Sequence, residues 1–127
     1  GKIVLMDASA PKLEMRTFAR NLIPKFAEVY VHASLDVAMK REGQRPEGKV
    51  MAGLYAKAIE RKETGKEFEG LGQVIGVDVP FEEDPNVEVK IDSDNMTVDQ
   101  AADRVLFFLQ GWLEEGLPLV KGGKTCQ

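Results

Sequence analysis

The sequence has little with which to carry out redox or metal chemistry. Its 127 residues hold one cysteine, Cys126, and one histidine, His32. A single thiol excludes an intrachain disulfide, and Cys126 lies in a polar tail where it reads as incidental rather than catalytic; such sparing use of cysteine fits a reducing, cytoplasmic setting. His32 has no second imidazole with which to share a metal, so a structural or solvated role stands against a metal or acid–base one. No apolar run is long enough to span a membrane, and no signal-peptide pattern is present. The net charge of -4 leaves no basic field for nucleic acid or an anionic membrane surface. Asp92-Ser93-Asp94-Asn95 opens like a calcium loop, but Met96 and Thr97 stand where an oxygen ligand and a glycine are required, so it reads as a turn and no metal site is expected. The chain also has no G-x-x-x-x-G-K-[ST] loop, the backbone cradle that holds nucleotide phosphates at the start of a helix.

What is present is ordinary globular material, 43% hydrophobic and 30% charged, enough for one domain over residues 1–116 followed by a flexible tail over 117–127. Lys2-Ile3-Val4-Leu5-Met6, bounded by Asp7 to Pro11, reads as a buried strand. Leu13, Phe18, Leu22 and Ile23 fall near helical spacing over residues 12–23, with Arg16 and Arg20 one turn apart, and Pro24 closes that helix. Phe26 to Val31 reads as a second strand. Ser34 is placed to cap a helix running through Arg41. Gly43 to Lys49 is a loop, Met51 to Thr64 a charged helix, and Gly65 to Gly72 loose chain.

Val87 to Ile91 alternates apolar and charged residues, the pattern of a third strand. Thr97 and Gln100 form a Thr-x-x-Gln capping box. After it Val98, Ala101, Ala102, Val105, Leu106, Leu109, Trp112 and Leu113 recur at helical spacing until Gly116 and Pro118. Strands alternating with helices predict an α/β fold whose parallel sheet has three strands with helices on its faces.

Two segments carry a family resemblance. Gly53-Leu54-Tyr55 and, after a charged spacer, Gly76-Val77-Asp78-Val79-Pro80-Phe81-Glu82 resemble the lid and post-lid turn of adenylylsulfate kinases. These are P-loop kinases that phosphorylate the ribose of adenosine 5'-phosphosulfate with ATP. Ala10-Pro11 followed by Arg16 and Arg20 is similar to the family's Ser-Pro and spaced arginines, with Ala10 for the serine and Leu13 where an arginine is common. Ala27 to Val31 resembles the family's Glu-Val-Phe-Val strand, with His32 for the usual aspartate. Arg41-Glu42 stands for its Arg-Asp, and Ala52 replaces the lysine of Lys-Gly-Leu-Tyr. The adenine-stacking phenylalanine falls at Val74 or Ile75.

The resemblance implies the C-terminal half of a P-loop kinase-like domain, with a lid over about residues 43–75. It implies a cytoplasmic enzyme of sulfate assimilation that uses ATP and Mg²⁺, although no motif in the chain supports either, and a nucleotide acceptor such as adenylylsulfate. It places acceptor contacts at Pro11, Arg16, Arg20, Val74, Ile75 and Asp78, and nucleotide contacts at Arg41, Ala52, Gly53, Leu54 and Tyr55.

From the residues alone, Arg16 and Arg20 either bind phosphate or sulfate or pair with Glu14 and Glu28, and Asp78 either serves the site or braces its turn. In kinases of this fold the P-loop strand runs between the strands resembling Lys2–Met6 and Phe26–Val31. A P-loop-bearing half or self-association is expected to fill that slot. The alternative is a kinase-derived binding or assembly module without catalysis.

Overall fold

The computed structural model describes residues 2–45 and 52–115. Among them, four helices and a two-stranded parallel sheet follow in the order α1 (Leu13–Leu22), β1 (Val29–His32), α2 (Leu35–Gly43), α3 (Leu54–Thr64), β2 (Val89–Asp92) and α4 (Val98–Glu114). The strands pair in parallel with Val29 opposite Val89 and His32 opposite Asp92. Parallel neighbours need a crossover, and α2, α3 and the loop after α3 supply it.

Of the three expected strands the first does not form among the described residues: Lys2–Met6 pairs with no other described segment, and its apolar side chains face solvent, Leu5 being 92% exposed. A strand is a relation between two chains of backbone, and an apolar run without a hydrogen-bonding neighbour has nothing to order it. β1 also begins later than Phe26. The Phe26 ring lies 5.1 Å beneath the Arg20 guanidinium, and the Glu28 amide donates to the Glu88 carboxylate at 2.8 Å. Regular pairing therefore starts at Val29.

The helix ends follow from short-range chemistry. Ser34 Oγ accepts from the Val37 amide, and Thr97 with Gln100 forms the full capping box of α4. α3 starts at Leu54 after Gly53, whose φ of 72° suits glycine alone, and ends at Gly65, whose φ is 76°. The expected Met51 start, the loop beyond Arg45, the Gly116 and Pro118 stop, Cys126 and the tail lie outside the described residues.

Packing is uneven. Val89 and Ile91 are buried on one face of the sheet, while Ala58, Leu71 and Val74 form a second small core with Leu54, Tyr55, Phe68 and Val77 around it. α4 lies against β2 but buries no residue, and Phe107 is 82% exposed.

Candidate functional site

The loop before α1 is held by a residue far along the chain. Ala10 takes a positive φ of 33°, a conformation that costs a non-glycine residue energy and that persists only where its surroundings impose it. Here the Arg16 guanidinium donates to the Ala10 carbonyl and to the Glu82 carbonyl. Next to it, the Glu82 amide donates to the Pro11 carbonyl at 2.9 Å. The Glu82 carboxylate accepts from Lys12 Nζ at 2.8 Å and from the Leu13 amide at 2.9 Å. Lys12, at the N-cap, supplies no side-chain cap of its own, so Glu82 caps α1 from across the fold, a carboxylate at the positive end of the helix dipole. Lys12 and the Leu13 amide hold the Glu82 carboxyl below its usual range.

The arginines of α1 turn inward. Arg16 Nε lies 2.8 Å from Glu28 Oε1 with both side chains buried, a charge pair without the alignment of a hydrogen bond. Arg20 makes a two-point contact with the Glu88 carboxylate, with Glu28 and Asp84 each 3.9 Å away. The Glu88 hydrogen bond raises the Arg20 pKa, and Arg20 in turn holds the Glu88 carboxyl below its usual range. Of the two pairings open in the sequence, Glu28 is realised. Glu14 pairs with neither arginine, and Glu88 and Asp84, more than sixty residues away, were not visible as partners.

Phe81 seals this cluster, its ring stacked on Tyr30 at 4.8 Å and covered by Arg16 at 4.6 Å.

The segment after α3 folds against α3 itself. Arg61 donates to the Leu71 and Gly72 carbonyls, each at 3.0 Å, and to Asp78 Oδ2 at 2.7 Å, and the same oxygen accepts from the Val74 amide at 2.7 Å. Asp78 thus braces its own turn. The Val74 amide and then Arg61 hold its carboxyl below the usual range. Val74, at 4% exposure, points into the small core, whereas Ile75 keeps part of its surface open and bridges to Val79. A shallow open cleft of about 400 Å³ on this unit is lined by Arg61, Glu67, Leu71, Gly72, Gln73 and Asp78. Of the sequence-predicted residues it includes only Asp78.

The expected nucleotide contacts lie elsewhere. Arg41 donates to Ser93 Oγ at 3.1 Å and to the Ser93 carbonyl, while Ser93 Oγ donates to the His32 carbonyl at 2.7 Å. Arg41 therefore stands at the carboxyl ends of β1 and β2, where parallel sheets usually receive ligands. Arg16 and Arg20 meet Glu28 and Glu88, just before those strands. A four-residue strand is roughly 13 Å long, so the structure does not bring the two arginine groups together. Ala52 is exposed, while Gly53, Leu54 and Tyr55 enter α3, with Leu54 and Tyr55 packed on its small core. The buried Glu42 accepts from the Leu54 amide at 3.1 Å, again capping a helix from outside it.

The chain does not supply an ATP and Mg²⁺ site of the P-loop kind. Its nearest approach to the phosphate-loop pattern, Gly43-Gln44-Arg45-Pro46-Glu47-Gly48-Lys49-Val50, has valine where the metal-binding hydroxyl belongs. Its first glycine also ends helix α2, where the motif needs a strand before it. No cluster of three or more histidine, cysteine, aspartate or glutamate side chains suited to a metal occurs among the described residues. No helix among them is long and apolar enough to cross a membrane.

A family model described as adenylylsulphate kinase matches residues 1–92. The chain belongs to the adenylylsulphate kinase family. It is 40% identical over 106 residues to a probable adenylyl-sulfate kinase of Pyrococcus abyssi, covering 84% of this chain and 52% of the relative. A probable adenylyl-sulfate kinase of Archaeoglobus fulgidus is 36% identical over 94 residues, covering 74% and 50%. An adenylyl-sulfate kinase of Halothermothrix orenii is 31% identical over 108 residues, covering 85% and 50%. The chain thus spans about half the length of these curated relatives. No solved structure matches it. Family membership makes the chain a nucleotide kinase-like domain, and its four helices and two-stranded parallel sheet are consistent with part of a P-loop kinase-like fold.

Among the residues that sequence reading did not single out as site residues are Glu82, Glu42, Arg61 and Glu88. Glu82 closes the recognised turn motif and was within reach. The others are defined by partners the sequence does not reveal.

Proposed function

We propose that the chain is the acceptor-and-lid part of a kinase that transfers the γ-phosphoryl group of ATP to the 3'-hydroxyl of adenylylsulfate or a related nucleotide-linked acceptor, a cytoplasmic step of sulfate assimilation. The observation that carries this reading is the direct contact between the Ala10–Leu13 loop and Glu82 of the turn after α3. The family resemblance assigns acceptor contacts to both of these segments.

In this reading Pro11, Arg16 and Arg20 frame the anionic groups of the acceptor. Arg16 acts through the Ala10 carbonyl that it holds, and Arg20 through a guanidinium that stays partly exposed. Residues 43–75 form the lid, with Ile75 and the turn braced by Asp78 at its far end and Gly53 at its hinge. Val74 shapes the lid from inside its core. Arg41, at the carboxyl ends of the strands, serves the nucleotide together with Ala52 to Tyr55 of the lid.

Phosphoryl transfer works by positioning and charge stabilisation. These residues orient the acceptor and cover it. The phosphate cradle, and with it ATP and Mg²⁺, belongs to a P-loop-bearing segment that packs on the exposed Ile3–Met6 run and on Met15, Phe18 and Leu22 of α1. Purified chain alone therefore yields no phosphorylated product from adenylylsulfate and Mg-ATP, and product above a heat-killed control would overturn this division of labour.

A second reading, a binding or assembly module without catalysis, is favoured by two observations. Ala52 stands for the family's lysine, and Val74, one of the two candidates for the stacking position, is buried. A P-loop segment that restores turnover when combined with this chain would decide against it.

A further inference from the structure

We infer that Glu82 is a positioning residue that locks the acceptor loop Ala10–Leu13 to the exit of the lid, so that the two move as one body. The inference deepens the proposed function, because it rests on reading Ala10–Leu13 as the acceptor loop.

The geometry is specific. One residue meets three successive positions of the loop and helix start, and a fourth, Ala10, through Arg16. Its amide reaches the Pro11 carbonyl and its carboxylate reaches Lys12 Nζ and the Leu13 amide. Its carbonyl and that of Ala10 share the Arg16 guanidinium. The strained backbone at Ala10 is thereby held from both sides. On the lid side, Glu82 follows Phe81, which is pinned between Tyr30 and Arg16. Only three residues separate Glu82 from Asp78, whose carboxylate fastens the turn to α3 through Arg61. A displacement of the lid turn must therefore pull on the α1 cap. Conversely, a ligand that holds Ala10–Leu13 must also restrain the lid exit. Lys12 contributes less to the lock than the Leu13 amide, because the Lys12–Glu82 pair is substantially exposed.

The test uses the full chain. Residue-resolved amide exchange in wild type, Glu82→Ala, Glu82→Gln and Lys12→Met reads the coupling without any ligand, and titration with adenylylsulfate reads its consequence. Glu82→Ala is expected to speed exchange together at Leu13 and at Gly76, Asp78 and Val79, by about fivefold, the equivalent of one lost helix cap. Glu82→Gln, which keeps an oxygen for the Leu13 amide, speeds both by about twofold, and Lys12→Met leaves both nearly unchanged. Adenylylsulfate affinity falls about fivefold in Glu82→Ala and is largely restored in Glu82→Gln.

Faster exchange at Leu13 with an unchanged lid turn, or affinity equal in wild type and Glu82→Ala, overturns the inference. If Glu82→Ala does not fold, Glu82→Gln decides: a joint rise supports the lock and a rise at one site overturns it. A wild type that binds no adenylylsulfate defeats the proposed function, and the exchange data still decide the lock by themselves.

Discussion

The unit around α3 and the segment around the sheet solve the same problem with opposite success. From Leu54 to Val79, every partner lies within about one helix length of sequence: Ala58, Leu71 and Val74 share a core, and Arg61 ties the loop to its own helix. That unit closes largely on itself, with Glu42 of α2 capping its start. Lys2–Met6, the Met15, Phe18 and Leu22 face of α1, and Val98 and Phe107 of α4 are as apolar but remain exposed. Besides Val89 and Ile91, the sheet region buries charge, the Arg16–Glu28 pair being its most enclosed ion pair. The difference teaches that local contacts complete a lid-like unit within this chain. The elements around the sheet leave apolar surface exposed, and on it the proposed P-loop-bearing segment would pack.

The largest expected effect breaks the sheet side of this contrast. Glu28→Ala leaves the Arg16 guanidinium buried without its counter-charge, at a cost of about 3–5 kcal/mol. Urea denaturation followed by circular dichroism should show most of the stability lost, whereas an unchanged midpoint would mean that the pair is solvated. The next effect breaks the other side. Arg61→Ala should raise amide exchange of Val74 and Gly76–Val79 by roughly tenfold without altering β1 and β2. A rise that includes Val89 and Ile91 would show that the α3 unit is not independent.

Acid sharpens the comparison further. Glu82, Glu88 and Asp78 have carboxyl pKa values lowered in the folded state. Their contributions are complete above the unfolded carboxylate range, about pH 4. They are lost as pH falls through the lowered folded values. Stability should therefore be nearly flat above about pH 5 and fall below about pH 4. Glu88→Gln should flatten that fall around α1, and Asp78→Asn should flatten it around the lid turn, each read as local exchange against pH. The smallest effect is expected at Arg41, exposed on Ser93. Arg41→Ala should change stability by less than about 0.5 kcal/mol, read as the urea midpoint, and should weaken nucleotide binding only once a P-loop-bearing segment is supplied.

The same division explains what was legible in the sequence. Ser34, Thr97 with Gln100, and Gly65 act on groups within four residues, so the capped helices α2 and α4 and the end of α3 could be read directly. The alternation in Val87–Ile91 correctly gave a strand with Val89 and Ile91 inward. Lys2–Met6 reads as a strand by composition but finds no partner among the described residues. The α4 stripe reads as core yet buries nothing, because periodicity reports an apolar face and not what covers it. The Glu82 cap of Leu13 and the Glu88 clasp of Arg20 span 69 and 68 residues, beyond any local pattern. Even so, the family motif had already brought Pro11 and the Gly76–Glu82 turn under one reading.

Calorimetric titration of the chain with adenylylsulfate and, separately, with Mg-ATP tests the central claim most directly. The account predicts saturable binding of adenylylsulfate in the absence of ATP and none of Mg-ATP, since the proposed acceptor loop and lid lie in this chain and the phosphate-loop motif does not. Failure to bind adenylylsulfate, or binding of Mg-ATP alone, would contradict it.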